Sequence, residues 1–413
     1  MKRYLRICLA AFAAILLIST TALPPAQAAE PIRIGVLATL TGPFAALGEE
    51  GVDGVKMAFE EFNNELGGRP VKLFIEDTSA DPDTAVTKTR ALISRDKCQL
   101  VLGPLSGAEG LAIKKSADEW PNATIVVTAS AAEDITMRGV KPNIWRCSFS
   151  GAQPMFPLGE YVYNHGYRKV ATLGEDYAYP YAHVGGFLKA FIDSGGCVAK
   201  KFWVPIGTSD YSALVSQIPK DIDAFYFCLG GTDAVNFMRS LDEFGMIGKF
   251  PIFAGATSID VSVLQAVGKQ CDGIVSGSIV AADVDTPIYR EFDARYRKLR
   301  GRTPSLFVDC YYTATKWAAL ALKEVNGNIE DQAAYREALQ NTAFDAPRGH
   351  VSFDKFHNVV EDVYINQVKL VEGEYRNINI EVIPKVSQFW HYDPEEYQKQ
   401  PPYDRKFPDK PCK

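Results

Sequence analysis

The chain has 413 residues, of which 47% are hydrophobic and 23% charged, and its formal net charge is −6. That length leaves room for one to three globular domains with ordinary cores. The net acidity, with no long Lys/Arg run in the body of the chain, argues against a nucleic-acid partner. Residues 1–28 form a separate segment. Lys2, Arg3 and Arg6 precede an apolar run, Ile7 to Ile18, and Ala26-Gln27-Ala28 supplies a small-x-small site. This is the layout of a secretory signal peptide cleaved near Ala28. The run falls short of the roughly 20 residues a membrane span needs. Cleavage removes three basic residues and no acids, so −6 becomes −9. The mature chain is expected to be exported, with no membrane insertion.

From Pro31 strands alternate with helices. Ile32–Leu37 reads as an apolar strand, Thr39-Leu40-Thr41-Gly42-Pro43 as a turn, and Glu49 onward as a helix with Val52, Val55, Met57, Ala58 and Phe62 at helical spacing. Strand Val71–Glu76, helix Asp83–Arg95, strand Leu100–Leu102, helix Ala108–Trp120 and strand Thr124–Val127 follow. Such alternation predicts a parallel sheet covered by helices. Trp145–Ser150 reads as a crossing into a second series. Its strands are Lys169–Leu173, Val198–Val204, Ala224–Leu229, Pro251–Ala254 and Gly273–Ser278; its helices are Tyr181–Ser194, Ser212–Ile218 and a stretch ending at Phe244.

After Ala281 the rhythm changes. Ile288–Leu299, Val308–Val325 and Gln332–Gln340 read as packing helices, and His350–Phe353 and Tyr364–Val371 as strands. From Lys385 the chain is rich in Pro and aromatics. Phe389, Trp390, Tyr392, Tyr397, Tyr403 and Phe407 predict that this tail packs on the body, with Gln398–Lys413 left mobile.

No catalytic constellation emerges. The five histidines show no metal spacing, and no G-x-S-x-G, Walker or G-x-G-x-x-G sequence is present. The acid pairs Glu49-Glu50 and Glu60-Glu61 read as solvated helix faces. Seven cysteines remain after cleavage, an odd number whose pairing the sequence leaves open; several sit in apolar strands as small hydrophobes.

The strand ends offer a different chemistry. Ser106, in GPLSG, and Ser130, in VVTASAAED, are hydroxyls at helix starts. A hydroxyl with free N–H groups at a helix N-terminus can seat a carboxylate without a fixed cation. The plainer role for each is an N-cap. Two such sites in adjacent β–α units favour a ligand carboxylate.

The runs IRIGVLATLTGPFAALG, GVKMAFEEFNNELGGRPVKLFIEDTSADPDTAVTKTRALI and VLGPLSG, in that order, resemble the periplasmic binding proteins of branched-chain amino-acid-type ABC importers. The similarity covers almost all of residues 31–371. It implies a type I periplasmic binding protein: an α/β fold of two lobes, each a parallel sheet flanked by helices, joined by three hinge crossings. It places 29–147 and 279–357 in the N-terminal lobe, and 148–278 and 358–413, with the aromatic tail, in the C-terminal lobe. It implies a periplasmic protein with no enzymatic activity, cofactor or metal, delivering a small ligand to an ABC permease in the inner membrane.

The resemblance also assigns residues. The family's carboxylate-binding Ser falls on Ser106. Its next loop falls, with a one-residue gap, on Thr128-Ala129-Ser130-Ala131-Ala132. Its first-loop aromatic falls on Leu47, one second-lobe Tyr near Tyr179, and another on Gly230. Amino-acid binders carry a Glu for the ammonium group where this chain has Ala256. An unpaired buried ammonium would cost about several kcal/mol. The departures at Ala256 and Gly230 suit a carboxylate with a bulky uncharged body. The aromatic tail resembles members that capture aromatic acids, so a benzoate-, hydroxybenzoate- or cinnamate-like ligand is expected, walled by Phe44, Tyr179 and Phe307. Core packing is the plainer role for Phe44 and Phe307. Three alternatives stand: a branched-chain amino-acid or amide binder using Asp176 or Asp260 for the missing Glu, an exported ligand-sensing subunit, and an exported α/β enzyme.

Overall fold

The computed structural model describes residues 29–413, so the expected signal peptide, residues 1–28, lies outside the described residues. The first α/β series runs β1 (Ile32–Ala38), α1 (Ala45–Glu60), β2 (Glu65–Leu66), β3 (Arg69–Asp77), α2 (Pro82–Ser94), β4 (Leu100–Leu102), α3 (Gly107–Ser116), β5 (Thr124–Val127) and β6 (Ile144–Arg146). Its six strands make one sheet in the order β2-β3-β1-β4-β5-β6. β1, β3, β4, β5 and β6 are parallel, and only the short β2 runs antiparallel. Every residue of β4, β5 and β6, Arg146 included, is hidden from solvent, as expected of central parallel strands covered by helices.

The second series runs α4 (Met155–Asn164), β7 (Lys169–Glu175), α5 (Ala178–Asp193), β8 (Cys197–Val204), α6 (Ser212–Val215), β9 (Ala224–Cys228), α7 (Gly231–Glu243), β10 (Ile252–Gly255), α8 (Val261–Val267) and β11 (Val275–Ser278). Three helices follow, α9 (Pro287–Arg300), α10 (Leu306–Glu324) and α11 (Gln332–Asn341). The chain then forms β12 (Phe344–Ala346), β13 (Gly349–Phe353), β14 (Val359–Val371), β15 (Glu374–Val386) and a last short helix, α12 (Pro394–Lys399). The second sheet has the order β12-β13-β14-β11-β10-β9-β7-β8, with β15 paired to β14. β7 to β11 are parallel; β14 joins β11 antiparallel.

The chain passes between the two sheets three times. It leaves the first after β6, returns from β11 to pack α10 on α1, and re-enters the second at β14. Buried polar groups tie these passages together. Arg146, at the end of β6, donates from Nε to Asn358 Oδ1 at 2.6 Å, just ahead of β14. Its Nη1 reaches the carbonyl of Ala132 at 2.6 Å.

Several expectations need correction. α1 begins at Ala45, not Glu49, so its first turn projects Leu47 inward. Glu50 is not a solvated acid: it is 3% exposed and bonded by Arg302 and Ser305. The sequence pattern predicts no element where β2, α4, α8, β12, β15 and α12 stand. The end of the tail is pinned rather than loose, because Cys412 is disulfide-bonded to Cys197 and Pro411 bridges Val198. Cys98, Cys147, Cys228, Cys271 and Cys310 are free and buried, as small hydrophobes among their strands and helices. No helix among the described residues is long and apolar enough to cross a membrane.

Candidate functional site

β1, β4 and β5 of the first sheet and β7, β9 and β10 of the second end in loops that meet around one narrow cavity. Ligands of open parallel sheets bind at this carboxyl edge of the strands. The space between its walls, mouth included, is about 390 Å³.

The first lobe supplies Phe44 and Leu47 at the start of α1, Leu105, Ser106 and Gly107 at the start of α3, Ala129 after β5, and Phe307 at the start of α10. Ser106 is the N-cap of α3, with extended backbone at φ −83° and ψ 152°. Its Oγ accepts from the Glu109 N–H at 3.3 Å, and its own N–H donates to Glu109 Oε2 at 2.6 Å, a complete capping box. The cap uses the oxygen of the hydroxyl and leaves its proton to donate. The next N–H groups of α3 have no acceptor within the helix, and the positive end of the helix dipole faces the cavity there. A β-carbon at Gly107 would stand 3.1 Å from Ala132 Cβ and 3.2 Å from Tyr179 Cβ, so the second lobe approaches the start of α3 closely here. Such an arrangement of donors can accept an anion.

The second lobe supplies Tyr177 and Tyr179 at the start of α5, Gly230 before α7, and Thr257 after β10. Tyr179 O–H donates to Thr257 Oγ1 at 3.4 Å, and Thr257 donates in turn to the Leu229 carbonyl at 3.1 Å. Behind Tyr179 stand Phe149, its ring centroid 6.4 Å away edge-on, and His183 at 4.9 Å. His183 Nδ1 lies 2.6 Å from the Gly151 carbonyl and so carries the proton in the neutral tautomer. Burial depresses the His183 pKa to about 3, so it brings no charge.

None of the residues lining the cavity is ionisable to a charge at neutral pH. Two buried acids stand directly behind lining residues: Glu109, which accepts from the Ser106 N–H and whose pKa burial raises, and Glu175, at the end of β7, whose Oε1 accepts from the Gly230 N–H at 3.0 Å. Burial pushes the Glu175 pKa up to about 8 despite that bond, with Asp233 nearby adding to the rise. Asp176 turns away, paired with Arg405 and Tyr181. Asp260 also lies elsewhere, accepting from the Leu306 N–H at 3.1 Å in a different cavity. Neither Asp176 nor Asp260 lines this cavity.

The structure thus brings together Phe44, Leu47, Ser106, Tyr179, Gly230 and Phe307 from the residues singled out in the sequence. It sets three apart. Ser130 is fully buried and donates its hydroxyl to the Ser106 carbonyl at 2.7 Å, so it buttresses the Ser106 loop from behind. The Ala131 carbonyl accepts from the Gly151 N–H at 2.7 Å, outside the lining. Ala256 opens a short 3-10 turn, and its neighbour Thr257 takes the lining position. Tyr177, Leu105, Gly107, Ala129 and Thr257 were not singled out, although each lies within two residues of one that was.

Glu175 has a consequence for stability. Its pKa is raised from 4.5 to about 8, so the unfolded chain releases this proton first as pH rises. The stabilisation is fully present below the unfolded value and is lost as pH rises through the folded one. The parent protein's melting temperature is therefore expected to fall between pH 5 and pH 8, and Glu175→Gln to flatten that fall. Parallel slopes for the two proteins would show that Glu175 is ionised in the fold.

Residues 31–374 match the family model described as periplasmic binding protein. The chain is similar to the Leu/Ile/Val-binding protein homolog 6 of Brucella melitensis, with 26% identity over 365 residues, 86% of this chain and 93% of that protein. It is similar to the solved structure of an ABC transporter substrate-binding protein from Sphaerobacter thermophilus, at 31% identity and a TM-score of 0.82, over 87% of this chain and 99% of that one. A solute-binding protein of an ABC transporter from Rhodopseudomonas palustris BisB5, solved in complex with 3,4-dihydroxy benzoic acid, shares 25% identity at a TM-score of 0.82, over 87% of this chain and 98% of that one. The two-lobed α/β architecture is common to all of these structures.

Proposed function

The chain belongs to the periplasmic binding protein family, and from that premise we propose that it captures a small aromatic carboxylate of the benzoate, hydroxybenzoate or cinnamate class for an ABC importer. The observation that carries this reading is the lining itself. A capped helix N-terminus with a free hydroxyl proton stands at one end, rings stand on the walls, and no ionised side chain is present to pair with an amine. The R. palustris relative holding 3,4-dihydroxy benzoic acid supports it from outside the chain.

In this reading Ser106 and the first N–H groups of α3 seat the carboxylate on the first lobe. Tyr177 and Tyr179 of the second lobe close over the ring, facing Phe44 and Phe307. Closure buries the ligand and changes the outer surface offered to an inner-membrane permease. The ligand leaves unaltered, so no turnover is expected. Export to the periplasm with cleavage near Ala28 completes the proposal.

A second reading has one observation in its favour: the B. melitensis relative is named as a Leu/Ile/Val-binding homolog. An α-ammonium in this cavity would depend on Glu175 giving up its proton behind Gly230. Titration calorimetry at pH 7 separates the two. Submillimolar or tighter binding of 4-hydroxybenzoate, benzoate or cinnamate, with no heat from leucine, is the expected result. Tight leucine binding with silence from the aromatic acids would overturn the proposal in favour of the second reading.

A further inference from the structure

We propose that the C-terminal segment 387–412 is a clasp that leaves the second lobe, grips the first, and returns, so that it holds the two walls of the cavity together and limits how far they part. This segment lies beyond the 31–374 stretch that matches the family, and the inference does not depend on which ligand the cavity takes.

Both ends of the segment are fixed to the second lobe. It starts from β15, which pairs with β14. It ends in the disulfide between Cys412 and Cys197, beside the bridge from Pro411 to Val198 on β8. Between these ends it reaches residues 133–138 of the first lobe. Tyr397 O–H donates to Glu133 Oε1 at 2.8 Å. Arg138 donates to the carbonyls of Gln398 and Gln400 at 3.1 and 3.0 Å. Gln388 Oε1 accepts from Thr136 Oγ1 at 3.1 Å. On the way back, Arg405 forms a two-pronged pair with Asp176, its Nε 2.6 Å from Oδ1. Lys201 holds the Lys406 and Pro408 carbonyls at 2.6 and 3.1 Å.

The anchoring points are placed where they bear on the site. Glu133 follows the loop that contributes Ala129 to the cavity. Asp176 immediately precedes Tyr177. Each wall is therefore held from behind by one stretch of chain. Arg405 and Tyr397 are positioning residues, since neither touches the cavity.

The grip is apolar as well as polar. Tyr397 and Tyr403 are buried, with their hydroxyls 2.6 Å apart. They pack in one cluster with Met137 of the first lobe and Phe156, Ala182 and Ala190 of the second. Tyr403 packs against α5 at Gly185, where a β-carbon would fall 2.3 Å from its ring. Parting the lobes here would bare two tyrosines and break the Glu133 and Arg138 bonds together.

The test is small-angle scattering of the ligand-free mature protein. Cys197→Ser/Cys412→Ser and, separately, Tyr397→Phe/Arg405→Ala are expected to shift the radius of gyration upward from the parent value, with far-UV circular dichroism unchanged. Gly185→Ala, which lifts Tyr403 off α5 without removing a charge, is expected to shift it the same way. Should a variant fail to fold, the oxidised and thiol-reduced parent proteins supply the same comparison, and reduction is expected to raise the radius. Coincident scattering curves for the parent, the folded variants and the reduced protein would overturn the proposal.

Discussion

Arg348→Ala is expected to cost about 3–5 kcal/mol of unfolding free energy, the range measured when one partner of a buried ion pair is removed. Arg348, between β12 and β13, is 1% exposed. Its Nη1 donates to Asp309 Oδ1 on α10 at 2.7 Å, its Nε lies 2.7 Å from Glu361 Oε2 on β14, and its Nη2 reaches the carbonyl of Cys147 just past β6. Its own carbonyl accepts from Tyr364 O–H at 2.9 Å. Cys147 and Glu361 flank the first and third passages between the sheets, and Asp309 lies on α10, beyond the second. One guanidinium faces two buried carboxyls, and burial outweighs its attraction at both: Glu361 is pushed up to about 8, and Asp309 also lies above its usual range.

Removing the cation leaves both carboxyls buried without a partner charge, and both are expected to hold protons. Their folded pKa values then stand further above the unfolded ones. Stability is retained at low pH and lost as pH rises, so the deficit grows between pH 5 and pH 8. Urea unfolding reads this as a lower midpoint at unchanged slope. Arg348→Met/Glu361→Gln, which removes a cation and an acid together, is expected to recover a large part of the loss. A cost under about 1 kcal/mol for Arg348→Ala, flat with pH, would mean that the cluster is solvated and does not pin the passages.

Much of the fold follows from local pattern. The strands ahead of GPLSG and VVTAS are continuous apolar runs, and Gly, Pro and Ser punctuate their ends, so β1, β4 and β5 and the site loops beyond them are legible. What is hidden depends on partners distant in sequence. α4 contains Pro157 and Gly159, which read as breakers. Yet a β-carbon at Gly159 would fall 2.4 Å from the Phe187 carbonyl, so that glycine serves the packing of α4 on α5. β15 is rich in Asn and carries Pro384, and only its pairing with β14 makes it a strand. Glu50 reads as solvated because its partner Arg302 lies 252 residues away. The site divides in the same manner. Ser106 and Ser130 carry the same local signal, a hydroxyl after a strand. Only the packing of one loop on the other decides that Ser106 lines the cavity while Ser130 bonds its carbonyl from behind.

That division makes Ser106 the more informative residue to alter. On the proposed function, Ser106→Ala is expected to weaken 4-hydroxybenzoate about 10- to 100-fold, because a hydrogen bond to a charged group contributes about 1.5–3 kcal/mol. The substitution also removes the oxygen that caps α3, which costs about 0.5–2 kcal/mol of stability. The cap is present with and without ligand, so its loss lowers the melting temperature and largely cancels from the binding free energy. Titrations with 4-hydroxybenzoate and its neutral amide separate the two effects. The variant should lose much more affinity for the acid than for the amide, narrowing the preference between them. Ser106→Thr, which keeps both the cap and the donor, should retain most of it. Undiminished binding of the acid to Ser106→Ala would leave the N–H groups of α3 as the whole of the anion seat, and would reduce Ser106 to a helix cap.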